Sequence, residues 1–274
     1  MSGELFTPAP TRVMGILNVT PDSFSDGGDF FDHQRAIDHG LALAAEGAQL
    51  IDVGGESTRP GVRRTEPAEE LRRVLPVVEA LAASGVPVSV DTMRAEVARE
   101  TVRLGAAMIN DVSGGLADEA MLPTVADLGV PYVAMHWRAH SAEMANAAHY
   151  TDVVAEVRGE LTARARAALA AGIAAERLVL DPGIGFAKTG EHNWQLLRRI
   201  DALAELGHPL LVGVSRKRFL GQLLADEDGP RPPKGRDDAS VAISTLLAAH
   251  GIWAVRTHSV RAHRDAILVA DRFR

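Results

Sequence analysis

The sequence predicts a (β/α)8 barrel in which residues 1–274 form a single α/β domain. Three observations lead there. Short β-branched or aliphatic runs alternate with Ala/Leu/Glu/Arg-rich segments of helical spacing along nearly the whole chain. These runs are too continuously apolar for a sheet with one wet face, so they call for parallel strands covered on their outer side. The punctuation also repeats: "EGAQLID", "SGVPVSV", "LGAAMIN", "LGVPYVA" and "LGHPLLV" each close a helix on a glycine able to take positive φ, just before the next strand. Strand and helix order alone does not demand closure, so an open doubly wound sheet is the competing architecture.

The first strand is "RVMGILN" from Arg12, ending on Asn18. The stretch that follows, on to Gly28, is longer than the about 2 to 6 residues usual between a strand and a helix, and it is rich in small and polar residues. Such a connection needs a task. A helix over Arg35–Glu46 leads to the strand "QLIDVGG" from Gln49, after which come Glu56, Ser57, Thr58 and Arg59. Ala68–Ala83 is the next helix, followed by "PVSVDT" from Pro87, which carries Asp91. Ala95–Leu104 precedes "AMINDVSG" from Ala107, with Asn110 and Asp111 at its end, and "PYVAMHW" from Pro131 brings His136. The helix Val153–Ala171 precedes "RLVLDPG" from Arg177 with Asp181, and Trp194–Leu206 precedes "PLLVGVS" from Pro209, whose end carries Ser215, Arg216 and Lys217. The Pro/Gly-rich segment Asp226–Asp238 reads as a surface loop before a helix over Asp238–His250. Finally "WAVRTHS" from Trp253 supplies Arg256 and His258, and Ser259 is placed to cap the last helix.

Composition excludes several classes. Apolar residues at 46% and charged residues at 24%, with no low-complexity tract, describe a globular chain. A formal charge of -7 argues against general nucleic-acid binding, while a local basic patch can still hold a phosphorylated small molecule. The absence of cysteine excludes disulfides and thiolate metal sites. No apolar stretch reaches the about 18 residues of a membrane span, and the start "MSGELFTPAP" lacks a signal-peptide pattern, so a cytoplasmic location without membrane or nucleic-acid partners is expected.

A barrel places its working residues at the C-terminal ends of the strands, and the polar residues named above gather there. Asp, Asn, Ser and Thr also serve as helix N-caps, and for Asp111 and Ser215 both readings stand. Capping does not explain Lys217 or Arg256, and carboxylates such as Asp91 and Asp181 at a barrel mouth need partners. Asp and Asn can read the N–H edge of a planar heterocycle, and Lys can donate to a ring carbonyl or nitrogen. Arg256 and His258, two apart on one strand, can grip a phosphate together. A nitrogenous ring bearing phosphates is implied, and its identity is left open. The other histidines show no metal-ligand spacing, and His136 can be a packed rim residue.

The segments "MGILNVTPDSFSDGG", "IDVGGESTRPG", "VSVDTMR", "INDVSGG", "LDPGIGFAKT", "GVSRKRFLG" and "VRTHSVR" resemble, in order and from Arg12 to about Ala262, the signature segments of dihydropteroate synthases. The resemblance implies a transferase of folate biosynthesis that joins p-aminobenzoate to 6-hydroxymethyl-7,8-dihydropterin diphosphate, releasing diphosphate and 7,8-dihydropteroate. It also implies Mg2+, a homodimer and a sulfonamide target. Asp91, Asn110, Asp181 and Lys217 match the pterin-binding positions, and Asn18, Arg256 and His258 match those that hold diphosphate, with Asn18 also a Mg2+ ligand. Phe24, Thr58, Pro60 and Phe186 match the p-aminobenzoate pocket, and Asp22 matches a loop carboxylate that steadies developing positive charge. Asp22, Lys217, Arg256 and His258 are then the catalytic set, and the first long connection is a lid over the reacting groups. Two positions depart from the pattern: Ser259 stands where Asp is usual, and Arg218 where many members have Ser, beside a helix N-terminus that meets the aminobenzoate carboxylate. Two other functions fit parts of the pattern, a catalytically silent pterin-binding paralogue and a pterin-binding methyltransferase domain, which should lack the aminobenzoate loops and the Arg/His pair. A scaffolding protein leaves the polar rim unexplained. Arg256→Ala is expected to depress activity far more than stability.

Overall fold

Along β1 (Arg12–Asn18) the side chains alternate between two apolar environments, Met14 in one buried cluster and Val13 and Leu17 in another. The same period of two places Leu50 inside and Ile51 outside in β2 (Leu50–Gly54). Six more strands follow: β3 (Val88–Asp91), β4 (Met108–Asp111), β5 (Tyr132–Met135), β6 (Leu178–Asp181), β7 (Leu211–Val212) and β8 (Ala254–Thr257). They form one eight-stranded sheet in the order β6-β5-β4-β3-β2-β1-β8-β7, with every paired neighbour parallel. A parallel bridge between Leu180 and Leu210, backed by the Leu180 N–H donating to the Pro209 carbonyl at 2.9 Å, joins the two outer strands. The sheet is a (β/α)8 barrel, not an open doubly wound sheet. The computed structural model describes residues 6–7, 9–20, 29–56, 64–140 and 147–273.

Between the strands run α1 (Asp29–Ala45), α2 (Pro67–Ala83), α3 (Ala95–Arg103), α4 (Met121–Leu128), α5 (Val153–Ala170), α6 (Gly190–Arg198), α7 (Ile200–Ala204), α8 (Arg218–Leu223), α9 (Asp237–Ala249) and α10 (Val260–Arg272). Their starts follow local chemistry. Pro67 opens α2 where a missing N–H costs nothing. Asp152 accepts from the Val154 and Ala155 N–H groups at the head of α5, and Thr189 and His192 form a reciprocal cap on α6. Gly129 (φ 63°) and Gly207 (φ 78°) take the left-handed conformation that turns the chain out of α4 and α7 toward the next strand. Inward helix residues such as Val74, Leu81, Leu161 and Leu203 pack on the outward strand residues in one large core. Each Leu-sized burial contributes roughly 1.5–3 kcal/mol, so helices without a side-chain cap, such as α3, are held by docking.

Some expectations change. The single helix over Trp194–Leu206 is two, α6 and α7, broken at Arg199 (φ -116°, ψ 35°). Ser259 occupies the N-cap position of α10, but its hydroxyl makes no cap bond and pairs with Asp237 instead. Within Asp226–Asp238 a turn closes Asp226 on Gly229, and Pro233–Arg236 forms a 3-10 turn.

Candidate active site

Register brings the strand ends side by side. Gly54 faces Asp91, Asp91 faces Asn110, and Met135 faces Asp181 on adjacent strands. Below them Met14, Leu50, Met108, Val133, Val179, Leu211 and Ala254 fill the barrel with an apolar floor, plugged by Trp253 and a stacked Phe6. Polar side chains above such a floor must find partners in one another.

Arg256 organises them. Its Nε donates to Asp52 Oδ2 at 2.6 Å and a terminal nitrogen donates to Asp91 Oδ2 at 2.9 Å. Asn110 Nδ2 donates to the same Asp52 oxygen at 3.0 Å. Asp52 is wholly buried, and its second oxygen, Oδ1, accepts no hydrogen bond among the described residues. Burial pushes the Asp91 carboxyl up to about 7, against the pull of Arg256 and with the push of Asp52. Asp181 is likewise raised by burial and opposed by Lys217, while the Gly183 N–H donates to its Oδ1 at 2.7 Å.

Lys217 follows β7 and stands immediately before α8, so its ammonium reaches back over the mouth. It donates to the Ile184 carbonyl and lies 4.5 Å from the centre of the Phe186 ring. Desolvation pushes it down to about 8, while Asp181 favours its charge. Gly185 (φ 82°) leaves it room, because a Cβ there would stand 2.7 Å from Lys217 Cδ. The Ser215 hydroxyl accepts from the His258 backbone N–H at 3.2 Å and meets His258 Nδ1 at 2.9 Å.

The pterin-binding enzyme model matches residues 14–258. A dihydropteroate synthase of Mycobacterium leprae is 57% identical over 263 residues, covering 95% of this chain and 93% of that protein. The chain belongs to the dihydropteroate synthase family. Among solved structures, the Xanthomonas albilineans dihydropteroate synthase with 4-aminobenzoic acid has a TM-score of 0.89 at 49% identity, covering 96% of this chain and 93% of that one. The same enzyme in complex with 7,8-dihydropteroate gives 0.86 at 47%, with coverages of 96% and 94%. The Yersinia pestis dihydropteroate synthase with a sulfonamide drug gives 0.89 at 41%, with coverages of 96% and 94%.

Of the residues that the family resemblance singled out, Asp91, Asn110, Asp181, Lys217, Arg256 and Phe186 meet at the mouth through the contacts above. Asn18 ends β1, half-buried, opposite Gly54. Arg218 is exposed at the start of α8. Asp22, Phe24, Thr58 and Pro60 lie outside the described residues, as do Ser57 and Arg59. Asp111 caps no helix: it accepts from Ser113, Gly115 and the Tyr132 hydroxyl and braces the turn after β4.

Three participants escaped the sequence reading. Asp52 was readable, because it alternates with Leu50 and so shares the inward face of β2. Lys188 bonds His136, which is far away in sequence, and no local pattern announces that. Arg94 clamps Glu56 at 2.6 Å and the Thr65 carbonyl on either side of the β2–α2 connection. Its third partner is the buried Glu70, which also accepts from Thr92 at 2.6 Å. The ion pairs to Asp52 and Asp91 give Arg256 a structural part at the mouth as well.

Proposed function

We propose that this chain joins p-aminobenzoate to 6-hydroxymethyl-7,8-dihydropterin diphosphate, with release of diphosphate and 7,8-dihydropteroate. The single observation that carries the reading is the ring of three carboxylates, an amide, an ammonium and a guanidinium around one barrel mouth. Membership of the family supports the same reaction.

Asp181, Asp91 and Asn110 supply acceptors and a donor for the polar edge of the bicyclic ring, and Lys217 donates to a ring acceptor. An N–H donor brought to Asp91 favours its ionised form, which holds the Arg256 guanidinium at the mouth. Arg256 and His258 then face the diphosphate. As the C–O bond at the pterin methylene breaks, its electron pair leaves with the diphosphate, where the Arg256 guanidinium and the His258 imidazole are placed to stabilise it. The neutral aniline nitrogen attacks the electron-poor methylene carbon, a C–N bond forms, and the extra proton on nitrogen passes to solvent. Phe186 offers an aromatic wall beside Lys217. Asp22, Phe24, Thr58, Pro60 and Arg218 enter as the family-derived remainder of the site, around the aminobenzoate and the developing positive charge. Excluding water protects a carbon that water would also capture.

Asn18 contributes one amide oxygen, and among the described residues no group of three His, Cys, Asp or Glu side chains gathers to hold a metal. That donor set fits a Mg2+ ion carried mainly by the diphosphate's own oxygens and water. When bound, the ion supplies charge neutralisation to the leaving group. We also infer a cytoplasmic homodimer. No helix among the described residues is long and apolar enough to cross a membrane. The packed pair α9 and α10 leaves Leu246, Leu268, Val269 and Phe273 exposed, which supports the dimer.

The test is turnover. Purified protein with the pterin diphosphate, p-aminobenzoate and Mg2+ should release diphosphate and dihydropteroate in equal amounts. Binding of the pterin with no product would favour the silent paralogue.

A further inference from the structure

Two ammonium groups hold one turn of backbone, Gly183–Phe186, between β6 and α6. Lys217 binds its Ile184 carbonyl. Lys188 lies 3.1 Å from the Gly183 carbonyl, 3.0 Å from the Phe186 carbonyl and 2.9 Å from His136 Nδ1, which engages all three of its N–H groups. Burial pushes the Lys188 ammonium down to about 7, so the tautomer is fixed from the other side of the ring, where the ionised Glu160 carboxylate, lowered by its bonds to His136 and Arg138, can only accept. The ring proton is therefore on Nε2, which donates to Glu160 Oε2 at 2.9 Å. His136 is 1% exposed, whereas the Glu160 side chain is 40% exposed on α5. Its carboxylate is steadied by Arg138. The chain of bonds therefore runs from a surface carboxylate through a buried ring to both ends of the turn. The turn also fits closely, since a Cβ on Gly183 would stand 2.5 Å from the His136 carbonyl oxygen.

We propose that Lys188, oriented by the His136–Glu160 pair, is a positioning residue that fixes the Gly183–Phe186 turn and thereby sets Phe186 and Lys217 for substrate. The proposal rests on the roles given to Phe186 and Lys217 in the reaction above. The surroundings agree with it. Burial pushes the His136 imidazole down to about 4, so the ring stays neutral and its accepting nitrogen available near neutral pH. Nothing in a turn that merely links a strand to a helix requires a buried lysine amino group on both terminal carbonyls.

The test compares the parent enzyme with Lys188→Met, Glu160→Ala and the double variant, each checked for folding by thermal unfolding. With folding intact, Lys188→Met should raise KM for both substrates about tenfold while kcat changes less than about threefold. Glu160→Ala should move both KM values the same way by about threefold, and should add nothing in the Lys188→Met background. Nitrogen-15 NMR of the parent should show His136 as the neutral Nε2–H tautomer. Folded single variants with both KM values within about twofold of the parent, or an Nδ1–H tautomer, would overturn the proposal. If Lys188→Met fails to fold, the half-exposed Glu160→Ala and the tautomer decide. A parent enzyme without synthase turnover would count against the reaction itself, which separates the two failures.

Discussion

Replacing Arg256 by Ala leaves the wholly buried Asp52 with Asn110 as its remaining hydrogen-bond donor among the described residues. Removing one partner of such a pair costs roughly 3–5 kcal/mol, because the other charge stays buried. Arg256→Ala should therefore lose both turnover and about 3 kcal/mol of stability in urea unfolding. Asp52→Asn combined with Arg256→Ala should recover most of the stability and none of the turnover. Stability within about 1 kcal/mol of the parent for Arg256→Ala would show that the pair carries no weight. The two titrating groups at the mouth predict a bell-shaped pH profile for kcat/KM. Below about 7 the Asp91 carboxyl takes up a proton and loses its role as acceptor, and above about 8 Lys217 gives one up and loses its charge. Activity should fall on both sides, and Lys217→Arg, whose charge persists, should move only the alkaline limb. A flat profile between pH 6 and 9 would contradict these assignments. Asp91 and Asp181 were legible in sequence because each closes an apolar run just where a barrel strand ends, and Lys217 because it follows such a run and a lysine does not serve as a helix cap. The pairing of Arg256 with Asp52 was not, because residues 204 apart meet only through barrel closure.

Arg94 clamps the β2–α2–β3 unit, alongside Arg73, which donates to the Gly55 carbonyl at 2.9 Å. Arg94 bonds Glu56, Glu70 and the Thr65 carbonyl, and Glu70 beneath it is wholly buried. Burial raises the Glu70 carboxyl, and Arg94 and Thr92 pull it back. Arg94→Ala should cost roughly 3 kcal/mol in urea unfolding, and adding Glu70→Gln should return part of that loss. An unchanged unfolding midpoint for Arg94→Ala would rule out the clamp. Strands and long helices could be read from their periods, and the glycines at the helix ends were informative because only positive φ turns the chain so sharply. α4 and α8 were not singled out, since 8 and 6 residues barely display a helical period. The break at Arg199 has neither Pro nor Gly to announce it, and Leu196, Ile200 and Leu203 keep helical spacing across it. The feature is a product of packing that local sequence does not encode.

At the scale of the molecule, eight parallel strands turn residues distributed from Asn18 to His258 into one polar mouth over an apolar floor. That convergence was legible because strand polarity in a barrel sends every strand end to the same rim. The opposite outcome holds for the outer surface, where exposed apolar residues on α9 and α10 carry no sequence signature distinguishing an interface from scattered exposure. Light scattering should give twice the 29.2 kDa chain mass, and Leu246→Glu with Leu268→Glu should halve it. A parent that is monomeric at micromolar concentration would remove the inferred dimer. The most direct measurement of the central claim is calorimetric titration of the pterin diphosphate into the parent protein and into folded Asp181→Asn. One site per chain and a loss of at least about 100-fold in affinity, roughly 2.7 kcal/mol, is the predicted result. Equal affinity for the two proteins would contradict a pterin held in this mouth.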